Sequence, residues 1–155
     1  ALQACRPAGF ETEVLVFGRL PLALSARCFT ARAHHLPKDE CEFRCRDYPD
    51  GLALATREGN RFLTLNGIQT QSGSSCNLAG ALPALQRLGV EVARLSPQSQ
   101  GMGEIVRLFR AVVDGQTSAI EAERAISAHL PEGVCNGYWL GQPGMDWQSA
   151  AVLPG

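Results

Sequence analysis

Apolar residues in this chain fall into short runs cut by glycine and proline, with longer intervals of helical spacing in the second half. Glu11 to Phe17, "ETEVLVF", alternates at its start and then becomes β-branched and aromatic, which predicts a strand stopped by Gly18. Pro21, Pro37, Pro49 and Gly51 punctuate the stretch after that strand, leaving room for a short helix over Leu22 to Cys28 before an irregular loop. Leu52 to Thr56 and Arg61 to Leu65 flank the turn-forming "REGN" and predict a hairpin, whose second strand Asn66-Gly67 breaks. Leu78, Leu82, Leu85 and Leu88 recur at helical spacing, with Pro83 near the first turn and Gly89 as the stop. "VEVARL", Val90 to Leu95, predicts a short buried strand, and "SPQSQGMG" a loop at its C-terminal end. Ile105, Leu108, Phe109 and Val112 form a second helical stripe closed by Gly115, and "AERAISA" leads to His129 near a helix end. Both stripes read as core-facing. Strand, helix, strand, helix is the order of an α/β layer or barrel.

Composition narrows this without redirecting it. The chain has 155 residues, 45% of them hydrophobic, enough for one domain with a core spanning residues 1–155. The net charge of -1 provides no global field for nucleic acid or an anionic membrane. Runs such as "EVLVF" and "AAVL" fall far short of the roughly 20 residues needed to cross a bilayer, and no secretory pattern opens the chain. A soluble, cytoplasmic protein is expected. Because the chain opens at Ala1 and passes almost directly into a strand-like run, a fragment of a longer protein is also expected.

Three of the six cysteines, Cys28, Cys41 and Cys45, lie in one irregular stretch, with twelve residues between the first two and three between the last two. Soft metals and iron–sulfur clusters need thiolates converging on one point, and a flexible loop wraps such a group more easily than a strand does. Arg19, Arg27, Arg32, Lys38, Arg44 and Arg46 outnumber Asp39, Glu40 and Glu42 there, and positive charge would stabilise deprotonated cysteines and an anionic cluster. Zinc competes: His34 and His35 could complete a site, but only Cys41 and Cys45 form a close pair. Inert or redox-active thiols, or a disulfide scaffold in an oxidising compartment, fit the same spacing.

The segments "GRLPLALSARCFTARAHHLPKDECEFRC", "LNGIQTQSG", "VARLSPQ" and "CNGYW" resemble the C-terminal half of UbiV-like members of the collagenase-like peptidase family, from about Glu11 to Trp139. The resemblance implies the C-terminal half of a TIM-like barrel, with a cysteine-bearing loop and a hairpin insertion. It places Cys28, Cys41 and Cys45 on three of four ligand positions of a [4Fe-4S] cluster, with the fourth ligand outside this chain. Cys5, Cys76 and Cys135 match no ligand position. It also implies a role in oxygen-independent ubiquinone biosynthesis, as a heterodimer with a UbiU-like protein that hydroxylates a small hydrophobic quinone precursor. Half a barrel has unpaired edges and an exposed inner face, so marginal stability without a partner or the missing half is expected.

Other functions remain open. Related members act on RNA, but 6% aromatics and no net positive charge disfavour a nucleic-acid partner. A non-catalytic scaffold whose cluster folds a loop fits every residue. Proteolysis finds no nucleophile, base and acid set and no HExxH motif. Tyr138 and Trp139 read first as buried anchors, or as residues lining a barrel mouth against a substrate ring. Arg94, at a strand's C-terminal end, reads first as part of a surface ion pair and second as a carboxylate holder.

Overall fold

The computed structural model describes residues 6–150. Its six strands are β1 (Glu13–Leu24), β2 (Leu52–Ala55), β3 (Arg61–Asn66), β4 (Gln69–Asn77), β5 (Val92–Leu95) and β6 (Val134–Cys135). They form one mixed sheet in the order β2-β3-β4-β1-β5, with β6 added to β4. The pairs β1–β5 and β4–β6 are parallel, and the pairs β1–β4, β3–β4 and β2–β3 are antiparallel. With helices after the strands, this is an α/β fold. The expected hairpin is β2–β3.

β1 runs well past Gly18, where the sequence pattern predicts a stop. Gly18 holds φ +105°, and a side chain there would lie 2.7 Å from the Ser96 backbone oxygen, so the position needs glycine. The strand continues by pairing Ala23 with Thr70 and Leu24 with Gln69, with register shifts on both sides of Pro21. A proline is tolerated at such an irregularity because the ladder already lacks a regular bond there. The helix expected over Leu22 to Cys28 is displaced for the same reason: β4 claims Leu22 to Leu24 for the sheet. It starts later, as α1 (Phe29–Ala33), capped by Cys28.

β4 has no signal in the hydrophobic pattern. "QTQSGSSCN" is polar, yet it is the central strand, paired to β1 on one side and to β3 and then β6 on the other. A Gly67–Ile68 turn, with Gly67 at φ +60°, feeds it directly from β3. β5 forms where expected but lies at the sheet's edge, half-buried at its ends and exposed at Ala93 and Arg94, rather than buried.

The helices follow the predicted stripes. α2 (Leu82–Arg87) opens with Pro83 in its first turn, and Gly89 lies just past its end at φ +74°. α3 (Met102–Val113) buries Ile105 and Phe109. α4 (Ala119–Ser127) begins with a capping box, in which Ser118 Oγ accepts from Glu121 N–H at 3.2 Å and the Glu121 carboxylate accepts from Ser118 N–H at 3.2 Å. Val16 and Phe17 of β1, Leu78, Leu82 and Leu85, Ile105 and Phe109, and Ala122 and Ile126 form one core with Cys76 and Cys135. Phe17 and Phe109 meet edge to face with centroids 6.0 Å apart. Each large side chain buried there contributes roughly 1.5–3 kcal/mol of transfer free energy. Asn77, fully buried, ties β4 to α4: Nδ2 donates to Glu123 O (3.1 Å) and Ser127 Oγ (3.2 Å), while Oδ1 accepts from Ala79 N–H (3.2 Å).

Candidate functional site

The thiol-bearing connection between β1 and β2 hangs from the turn that joins β3 to β4. Phe29 N–H donates to Gly67 O at 2.7 Å, and Gly67 N–H donates to Thr30 Oγ1 at 3.4 Å. Cys28, in extended conformation, caps α1, and its Sγ accepts from Ala31 N–H at 3.5 Å. Beyond α1 only two 3-10 turns occur, at Lys38–Glu40 and Arg44–Asp47. Cys41 follows the first and is half-buried; Cys45 lies in the second and is exposed. His34 Nε2 and Tyr48 Oη are hydrogen-bonded at 3.1 Å and close this loop on itself.

Its backbone is strained. Among the described residues, the three non-glycine residues with positive φ are His35 (56°), Glu42 (53°) and Phe43 (53°), all within this one connection. Such conformations cost about 1–3 kcal/mol each and persist where the surroundings enforce them. The Arg46 guanidinium stacks 5.2 Å from the Phe43 ring centroid, and Arg44 pairs with Glu42 at 2.9 Å. Among the described residues, no three Cys, His, Asp or Glu side chains gather so as to hold a metal ion. Cys28, Cys41 and Cys45 share one connection but do not converge on one point. The donor set still suits a soft metal or cluster in kind. The three thiols are free, and drawing them together would rearrange short turns without breaking a strand.

Arg19 stands apart from the positive collar expected around these thiols. Its guanidinium donates to Gly73 O (2.6 Å) and Ser72 O (3.3 Å) and pairs with Glu132 at 3.5 Å. Burial lowers its pKa, and the Glu132 carboxylate opposes that shift. Together they line a polar cleft of about 310 Å³ beside the C-terminal end of β5, which Asp50, Ser96 and His129 also line. Ser75 Oγ donates to Glu132 at 2.9 Å, and the Asp50 carboxylate accepts from both the Ser99 N–H and the Ser99 hydroxyl. The cleft is internally satisfied. Arg94 lies outside it and pairs on the surface with Glu13 at 3.2 Å.

A second, apolar groove of about 490 Å³ opens between Leu22 of β1, Phe62 of β3 and the C-terminal loop bearing Tyr138 and Met145. Tyr138 is 65% exposed, so it is not a buried anchor; its ring covers Gly144, where an added Cβ would lie 2.4 Å from Cζ. Trp139 packs against the core instead. Adjacent aromatics on a 3-10 turn point in different directions, which their adjacency in sequence does not reveal. Cys135 forms part of the groove's wall. Burial pushes the Cys135 thiol up to about 11 and the Cys76 thiol up to about 12, so both stay protonated. Cys5 lies outside the described residues.

Sequence reasoning missed the groove because its apolar residues come from β1, β3 and the tail, far apart in the chain. The one hint in the sequence was Tyr138, read second as lining a mouth against a substrate ring. A family model described as Peptidase family U32 matches residues 3–149. No solved structure matches the chain.

Proposed function

The chain belongs to peptidase family U32, and from that premise we propose that it is an iron–sulfur subunit of UbiV type, cytoplasmic and paired with a UbiU-like relative. In this reading Cys28, Cys41 and Cys45 supply three ligands to a [4Fe-4S] cluster, and a cysteine outside this chain supplies the fourth. The pair hydroxylates a quinone ring precursor without oxygen. The observation that carries the reading is the thiol connection itself: three free thiols and three left-handed non-glycine residues lie on one irregular stretch, pinned at Phe29 and Thr30 to the turn between β3 and β4. Backbone strain that a fold maintains is one mark of a site under functional constraint.

A thiolate-held cluster supplies one-electron transfer, with a potential tuned by nearby charge and exposure. The protein's own contribution is placement. Cys28, fixed at the start of α1, is the rigid member; Cys41 and Cys45 sit on turns and can adjust. Arg27, Arg32 and Lys38 lie beside Cys28 around an open cavity of about 470 Å³ and offset thiolate charge. The apolar groove at Phe62 and Tyr138 suits a flat, hydrophobic ring. The half-barrel belongs to the same reading, with the outer edge of β5 as the strand edge that an upstream half would cover.

Proteolysis is the second reading, favoured by the family's description. The His34 contact does not advance it, since His34 is engaged by Tyr48 and not by a cysteine or serine. Anaerobic reconstitution of the chain together with its fourth-ligand source, followed by iron and sulfide counting and visible spectroscopy, tests the first reading. Cys28→Ala, Cys41→Ala and Cys45→Ala should each lose iron and the visible band. Full iron, sulfide and colour in any one of them would remove that residue from the ligand set, and cleavage of a denatured collagen by the metal-free chain would move the assignment to a peptidase.

A further inference from the structure

We propose that Cys76 and Cys135 form a cross-strand dithiol that closes to a disulfide by exchange with a small-molecule disulfide, stapling β6 and the C-terminal loop to the sheet's central strand. The two residues are Cα partners in the parallel β4–β6 ladder. Paired strands lie about 4.8 Å apart, within the roughly 4.4–6.8 Å Cα separation that disulfides span. Residues paired in register project to the same face, and both side chains belong to the same buried core, at 4% and 0% exposure.

Proximity shows electrostatically as well: charge on Cys135 adds to burial in raising the Cys76 thiol. The groove lined by Tyr138 and Met145 reaches Cys135 but not Cys76, which instead lines a smaller cavity under Leu15 and Trp139. Both thiols are buried, so exchange waits on an opening of the short β6 strand, whose Cys135 borders that groove. The Cys135 thiolate attacks one sulfur of the small disulfide, forms a mixed disulfide and expels one thiolate. The Cys76 thiolate then attacks the Cys135 sulfur, closing the protein disulfide and expelling the second thiolate. Two protons leave the protein thiols and end on the two small thiols released, and the two electrons go with them. Burial keeps both protein thiols protonated near neutrality, so exchange accelerates as pH rises toward their raised values. The closed bond ties down a two-residue strand, β6, which is held to the sheet by a short ladder, the Ser75 N–H to Gly133 O bond of 3.1 Å, the Ser75 Oγ to Glu132 bond of 2.9 Å and the Cys135 Sγ to Ser74 O contact of 3.7 Å.

The test uses the full chain, reduced and then treated with cystamine at mildly alkaline pH, quenched with N-ethylmaleimide in denaturant and digested between the cysteines. A linked peptide pair carrying Cys76 and Cys135, about 2 Da lighter than the reduced pair, is the expected product. In Cys76→Ser the second exchange cannot occur, and Cys135 should keep one cysteamine; Cys76→Ala gives the same readout if the hydroxyl disturbs folding. Complete alkylation of both cysteines, with oxidation confined to Cys41 and Cys45, overturns the proposal. So does linkage of Cys76 to an exposed thiol in preference to Cys135.

Discussion

The two long strands have opposite characters at their two ends. β1 is buried from Val16 to Gly18 and exposed from Pro21 to Leu24, while β4 is half-buried from Gln69 to Gln71 and largely buried from Ser72 onward. At the buried end they carry α2, α3, α4 and the core. At the exposed end they carry the β2–β3 hairpin and the thiol connection, with Leu24, Leu54 and Phe62 open to solvent. One end is held by apolar packing and the other by backbone ladders and turns. Stability therefore resides at one end, and the candidate thiol site at the other.

The contrast between the two ends can be broken hardest at the core. Phe109→Ala removes the ring against Phe17 and should cost about 3–5 kcal/mol in urea unfolding; a loss as small as that of an exposed-end variant would erase the distinction between the ends. Alkaline pH is the next lever. Cys76 and Cys135 have folded pKa values raised from 9.0 to about 12 and about 11, so their stabilisation is complete below pH 9 and is lost as pH climbs through the folded values. The urea midpoint should fall steadily above about pH 9, less so in Cys135→Ser.

Asn77→Ala leaves the buried Ala79 N–H unmatched and removes the bonds to Glu123 O and Ser127 Oγ, which keep each other as partners, and should cost about 1–3 kcal/mol. The same unfolding assay reads it. Ser118→Ala removes half of the α4 capping box, for about 1 kcal/mol. Smallest is Phe62→Ala at the exposed end, which should change global stability by no more than about 0.5 kcal/mol while weakening binding of an apolar aromatic ligand in the groove. If Phe62→Ala instead unfolds the chain, the exposed end is structural after all.

The buried end was the more legible from sequence, for a physical reason. The stripes Leu78 to Leu88 and Ile105 to Val112 mark helices because one face must be apolar to bury, and the structure buries Leu82, Leu85, Ile105 and Phe109 as expected. β4 left no such trace, since Ser72, Ser75 and Asn77 satisfy their polar groups inside the fold and need no apolar alternation. Gly18 and Pro21 misled in the other direction, because a bulged strand accommodates residues that end a regular one. Of the candidate site, the presence of Cys28, Cys41 and Cys45 on one irregular connection was readable from spacing and proline content. The diversion of Arg19 to Glu132 arises from tertiary packing, and no glycine marks the left-handed conformations at 35, 42 and 43.

The shared ownership of β4 also bears on how this chain finds its fold. β2, β3 and β4 succeed one another through tight turns, so they can zip locally and early. β1 must then wait: Phe17 meets Asn77, and Leu24 meets Gln69, only after the whole thiol connection and hairpin have been made between them. High contact order of this kind slows folding. β4 is thus the template on which β1 is late to register, and until β1 pairs, the future central strand is still an open edge.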